Sequence, residues 1–110
     1  MSEAMLILTN LPDAASARAL AQQLVERKLA ACVNIMPAVQ SVYRWQGAVE
    51  QASEVTVLIK SVSNRYAELE SAIRAVHPYE LPEIIALPIV AGLPAYLNWI
   101  TAETQKDVNV

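Results

Sequence analysis

One histidine, one cysteine and two glycines are all that this 110-residue chain has of three residue types that often carry recognisable chemistry. A lone cysteine excludes an intrachain disulfide. Two glycines cannot make a Gly-rich loop around a phosphate, and no G-x-S-x-G elbow presents a serine nucleophile. Charge is also sparse: 17 % of residues, net −3, with a pI near 5.0. Without a Lys/Arg cluster there is no electrostatic footprint for nucleic acid or an anionic membrane. No apolar run reaches membrane-spanning length. Met1-Ser2-Glu3-Ala4-Met5 lacks the basic start of a signal peptide. The expectation is a soluble, cytoplasmic protein with one domain over residues 1–110 and no nucleic-acid or membrane partner.

What the chain does have is apolar surface. Hydrophobic residues make up 55 %, and a domain of this size has limited interior volume to receive them. A subunit interface is the obvious second place to bury the excess.

Periodicity predicts the elements. Residues 4–9 form a short apolar run that ends at Asn10-Leu11-Pro12-Asp13, a buried strand followed by a turn. Asp13 or Ser16 can cap a helix reaching to about Leu29, with Ala17, Leu20, Ala21 and Leu24 in one stripe. Residues 31–46 alternate with period two and predict a strand. Unbroken, that strand would span ~50 Å, more than a compact domain of this size. Either Pro37 bends or breaks it, or its far end leaves the domain. Gln46-Gly47 predicts a hairpin turn. The returning strand sets Val49, Val55, Val57 and Ile59 on one face and Glu50, Glu54, Thr56 and Lys60 on the other.

Residues 61–76 return to helical spacing, with Ser63 as the candidate N-cap and Tyr66, Leu69, Ile73 and Val76 as the stripe. Pro78 ends that helix at His77. A strand is expected over residues 83–90. Pro94 opens a last helix whose Leu93, Leu97 and Ile100 face the core, with Trp99 flanking them. Residues 106–110 are expected to be loose or a short added strand. The order β-α-β-β-α-β-α is α+β, and its first six elements follow the ferredoxin-like split βαβ pattern. That pattern has an antiparallel four-stranded sheet with two helices on one face.

The densest chemistry lies in His77-Pro78-Tyr79-Glu80-Leu81-Pro82-Glu83, an imidazole and two carboxylates on a proline-stiffened turn at the mouth of a strand. An imidazole with carboxylates suits Zn(II) or Cu(II) by ligand type. One chain offers too few ligands for a closed site, so subunit symmetry would have to complete it. The other reading is a turn histidine bonded to a glutamate. Cys32 reads as a small buried hydrophobe or as a soft ligand facing a cleft. Lys60 could hold an anionic ligand, pair with Glu54, or be solvated. Tyr43 and Trp45 could line a pocket or cover a neighbouring subunit.

Several motifs occur together in one order: Leu-Ala-Ala-Cys-Val-Asn-Ile (29–35), Ser-Val-Tyr-Arg-Trp-Gln-Gly (41–47), Leu-Ile-Lys-Ser (58–61), His-Pro-Tyr-Glu-Leu-Pro-Glu-Ile-Ile-Ala-Leu-Pro-Ile (77–89) and Tyr-Leu-Asn-Trp-Ile (96–100). Over about residues 5–103 the chain resembles the CutA family of divalent-cation tolerance proteins. The resemblance implies a ferredoxin-like homotrimer, similar in architecture to PII-type signalling proteins. It further implies a binding role in divalent-metal tolerance rather than an enzymatic one, with copper the proposed ion for bacterial members. Where some members carry a cysteine this chain has Thr9, and where some carry a second histidine it has Val76. The metal expected is therefore Cu2+ or another divalent cation, held weakly, with His77 as the ligand. An inter-subunit cleft is expected to bring Cys32, Trp45, Glu54, Lys60, Tyr79 and Glu80 to a ligand. The alternatives are a PII-like small-molecule sensor, or an enzyme using His77 with a carboxylate.

Overall fold

The computed structural model describes residues 3–106. Its first strand, β1 (Ala4–Leu11), runs two residues beyond the expected end. The ladder to the third strand persists to Leu11↔Val55, and the Asn10 side chain is held on both sides instead of opening a turn. Helix α1 (Ala14–Glu26) is capped by Asp13, whose Oδ1 accepts from the Ser16 backbone N–H at 2.7 Å. It stops short of Leu29. Lys28 adopts φ 58°, and the Leu29 N–H turns back to the Leu24 carbonyl at 2.9 Å. This left-handed closure satisfies the end carbonyls that a longer helix would have used.

Strands β2 (Cys32–Trp45) and β3 (Ala48–Val62) form one long hairpin. Both options for the long strand hold together. The register shifts between Met36 and Val39 around Pro37, and the hairpin still projects, giving the molecule an extent of 50 Å against 31 and 22 Å across. Gln46 and Gly47 both take positive φ, 48° and 83°, as a two-residue turn matched to strand twist requires. Val49 does not share the fate of Val55, Val57 and Ile59. Those three are buried, whereas Val49 on the projecting arm is 64 % exposed.

A 3-10 turn (Ser63–Arg65) leads into α2 (Tyr66–Val76). Ser63 is not the N-cap: its hydroxyl accepts from the Glu3 N–H, tying the start of β1 to the end of β3. Leu69 and Ile73 are buried as expected, but Val76 is half exposed at the helix end. Strand β4 (Ile84–Pro88) is shorter than expected. Helix α3 (Pro94–Glu103) buries Ile100, while Leu93 at its cap is 71 % exposed. Of residues 106–110, only Lys106 lies among those described; it pairs with Glu68 of α2 at 3.1 Å.

The sheet order is β2-β3-β1-β4 with every pair antiparallel, the ferredoxin-like arrangement. Odd-numbered residues of β1 and β3 (Ile7, Leu11, Val55, Val57, Ile59) face α1 and α2, where Ala17, Leu20, Leu24, Leu69 and Ile73 complete the core. Even-numbered positions, including Lys60 and its partner Cys32, face the other side. Helix α3 reaches that side, with the Tyr96 phenol beside the Cys32 thiol. No helix among the described residues is long and apolar enough to cross a membrane.

Candidate functional site

Pro78 takes His77 out of the helix (φ −73°, ψ 129°), for the steric reason that proline disfavours helix at the residue before it. The turn that results folds the imidazole over the end of β1. The Tyr79 backbone N–H can only donate, so His77 Nδ1 accepts from it at 3.2 Å. The proton is thereby left on Nε2, which donates to the Asn10 carbonyl at 2.7 Å. The two rings of the turn pack with centroids 4.8 Å apart.

Asn10 is the hub of the corner, and sequence reading missed it. Its Oδ1 accepts from the Thr56 hydroxyl at 2.7 Å, and its Nδ2 donates to Glu83 Oε1 at 3.1 Å. The Tyr79 hydroxyl donates to Glu54 Oε2 at 2.9 Å. Burial, then the Glu54 carboxylate, pushes the Tyr79 phenol up to about 12, because ionising it would put two negative charges together with little water. Glu54 is itself only 8 % exposed. Glu80 is exposed.

A second cluster lies further along β3. The Lys60 ammonium donates to Asn34 Oδ1 and lies 3.8 Å from Cys32 Sγ. It does not reach Glu54: six residues of extended β3 separate them by ~20 Å. Cys32 is not a core residue. It is half-buried on the sheet face away from α1 and α2. The Tyr96 phenol beside it is raised, first by burial and then by the thiol. Period two already puts Cys32 and Asn34 on one face, but only the register of β2 on β3 delivers Lys60 to them.

Trp45 lies at the hairpin tip, opposite Ala48. It is six residues beyond Val39, the ladder partner of Glu54, so ~20 Å away in the other direction. Within one subunit the expected residues thus occupy three places: the His77–Tyr79–Glu54 corner with Glu80 nearby in sequence, the Cys32–Lys60 pair, and Trp45 at the tip.

No group of three or more His, Cys, Asp or Glu among the described residues could hold an ion. Both nitrogens of His77 are already bonded. Thr9 is fully buried in the sheet face that carries the core. One subunit by itself does not fit a closed, tight site.

The sequence pattern of the CutA1 divalent ion tolerance protein matches residues 5–103. The chain belongs to the CutA1 family. It is 44 % identical over 98 residues to the divalent-cation tolerance protein CutA of Thermus thermophilus, covering 89 % of this chain and 95 % of that one. It is 43 % identical to human protein CutA over 86 % of this chain, and spans about half (53 %) of that longer relative. Among solved structures, the T. thermophilus Cut A1 protein superposes with a TM-score of 0.90 at 42 % identity, over 93 % of this chain and 99 % of that one. CutA1 from Shewanella sp. SIB1 gives 0.89 at 45 % identity, over 93 % and 95 %. The CutA1 fold thus accounts for the whole sheet, and the T. thermophilus relative is named for divalent-cation tolerance rather than for a reaction.

Proposed function

We propose that this protein serves divalent-cation tolerance in the cytoplasm as a homotrimer, binding copper or another divalent cation weakly. The observation that carries the reading is the family match across residues 5–103. Weak binding follows from the donor set: a metal at His77 would have to take the Nδ1 lone pair from the Tyr79 amide. It would need further ligands from Glu80, Glu83 or a neighbouring subunit. A trimer is supported by apolar surface on the hairpin arm and around β4. Val42 is 66 % exposed and Val49 64 % on the arm, and Leu81 is 72 % and Val90 93 % exposed beside β4. Assembly is also the means by which the three separated clusters could meet at one cleft.

Isothermal titration with Cu(II) and Zn(II) at neutral pH, on the wild type and His77→Ala, tests the metal. Weak binding that the variant loses supports the reading, and equal affinity in both removes His77 as a ligand. Light scattering tests the assembly against three times the 12.0 kDa chain mass. A monomer at micromolar concentration would end the trimer proposal.

A further inference from the structure

Glu54 is a carboxylate less than a tenth exposed, and its hydrogen bond comes from a neutral phenol, that of Tyr79. An ionised carboxylate has acceptor room for about four bonds. Buried charges in folded proteins are ordinarily paired. Here the ion pairs among the described residues lie elsewhere, on Glu68 with Arg65 and Lys106. Asp13 and Tyr43 both act to keep the Tyr79 phenol protonated. The His77 imidazole has its Nε2 directed at the Asn10 carbonyl, and Glu83 is engaged by Asn10. A buried carboxylate that accepts from a phenol and forms no salt bridge among the described residues has the composition of a site for positively charged nitrogen.

We propose that the Glu54–Tyr79 corner receives an alkylammonium or guanidinium group, brought either by a small-molecule amine or by a Lys or Arg side chain of a second copy. The carboxylate supplies the ion pair, and the Tyr79 hydroxyl fixes its orientation. This assignment is independent of any metal at His77, because it uses neither ring nitrogen.

The test uses the full chain, wild type and Glu54→Gln, titrated with n-butylguanidinium and n-butylammonium and with neutral n-butanol as control. Oligomer mass is followed by light scattering in low and high salt. If the cation is a small molecule, the wild type binds both cations and not butanol, and Glu54→Gln binds them about tenfold less. If a second copy supplies it, the wild type leaves both probes unbound. Glu54→Gln then dissociates at about tenfold higher protein concentration than wild type, a difference that high salt erases. Butanol binding as well as the cations, or identical behaviour of both proteins in both assays, overturns the proposal. Should Glu54→Gln lose its fold by circular dichroism, Tyr79→Phe carries the test. It removes the hydroxyl bonded to the carboxylate, and the loss should weaken cation binding or assembly about threefold. No change in either would overturn the proposal.

Discussion

The Nε2–H of His77 is bonded to the carbonyl of Asn10, 67 positions away in the chain, at 2.7 Å. One imidazole thereby fastens the end of α2 to the end of β1. His77→Ala removes this bond and the one from the Tyr79 amide. It should lower stability by about 1–3 kcal/mol, read as a shift in the urea midpoint. A midpoint equal to wild type would mean that the ring holds nothing together.

The Tyr79 phenol, held up to about 12 against an ordinary 10.0, links stability to alkaline pH. The folded state favours the protonated phenol, so this contribution is fully present below pH 10 and fades as the pH rises from there through about 12. Phenolate absorbance during alkaline titration should show a last transition that Tyr79→Phe abolishes. If the last transition survives in the variant, the assignment is wrong.

Arg65 is 6 % exposed and donates to the carbonyls of Lys28 and Arg27, each at 3.3 Å, and to Glu68 at 3.1 Å. It closes the C-terminal end of α1 from the start of α2. Arg65→Met keeps the stem and removes the fork. The expected loss is roughly 2–3 kcal/mol, the worth of hydrogen bonds to a charged donor. Thermal unfolding within a degree of wild type would contradict this.

Thr9 is completely buried, and its hydroxyl has no hydrogen-bond partner among the described residues. Thr9→Val preserves the shape and removes the unpaired oxygen. It should stabilise by about 1–3 kcal/mol, the cost of an unsatisfied buried hydroxyl. A destabilised variant in chemical denaturation would show that the hydroxyl finds a partner in solution.

The sheet was legible because its strands are long and strictly patterned. Alternation in β2 and β3 showed which residues share a face, and Pro37 marked the place where the ladder slips. Helix ends were less legible where side-chain chemistry decided them. Nothing about lysine announces the left-handed turn at Lys28, which the Arg65 guanidinium, donating to its carbonyl, supports from another element. The site divided in the same way. His77, Tyr79 and Glu80 stand together in the sequence and so were easy to group. Asn10 and Thr56 belong to the same corner, yet they lie on β1 and β3, and their meeting depends on Asn10↔Thr56 pairing. The separation of Lys60 from Glu54 follows from simple strand length, and was hidden by reading both as members of one cleft.

The strand order also bears on the sequence of events as the chain emerges from the ribosome. Strands β2 and β3 are joined by a two-residue turn, so their pairing needs little loop closure and can zip from the tip. Strand β1 is made first, yet lies between β3 and β4, with Ile7 set against Ile59 on one side and Ala86 on the other. Its second edge stays open until the residues of β4 have been made. Of the four strands, the one made first is therefore the last to be enclosed on both sides, and the sheet is sealed only once β4 has emerged.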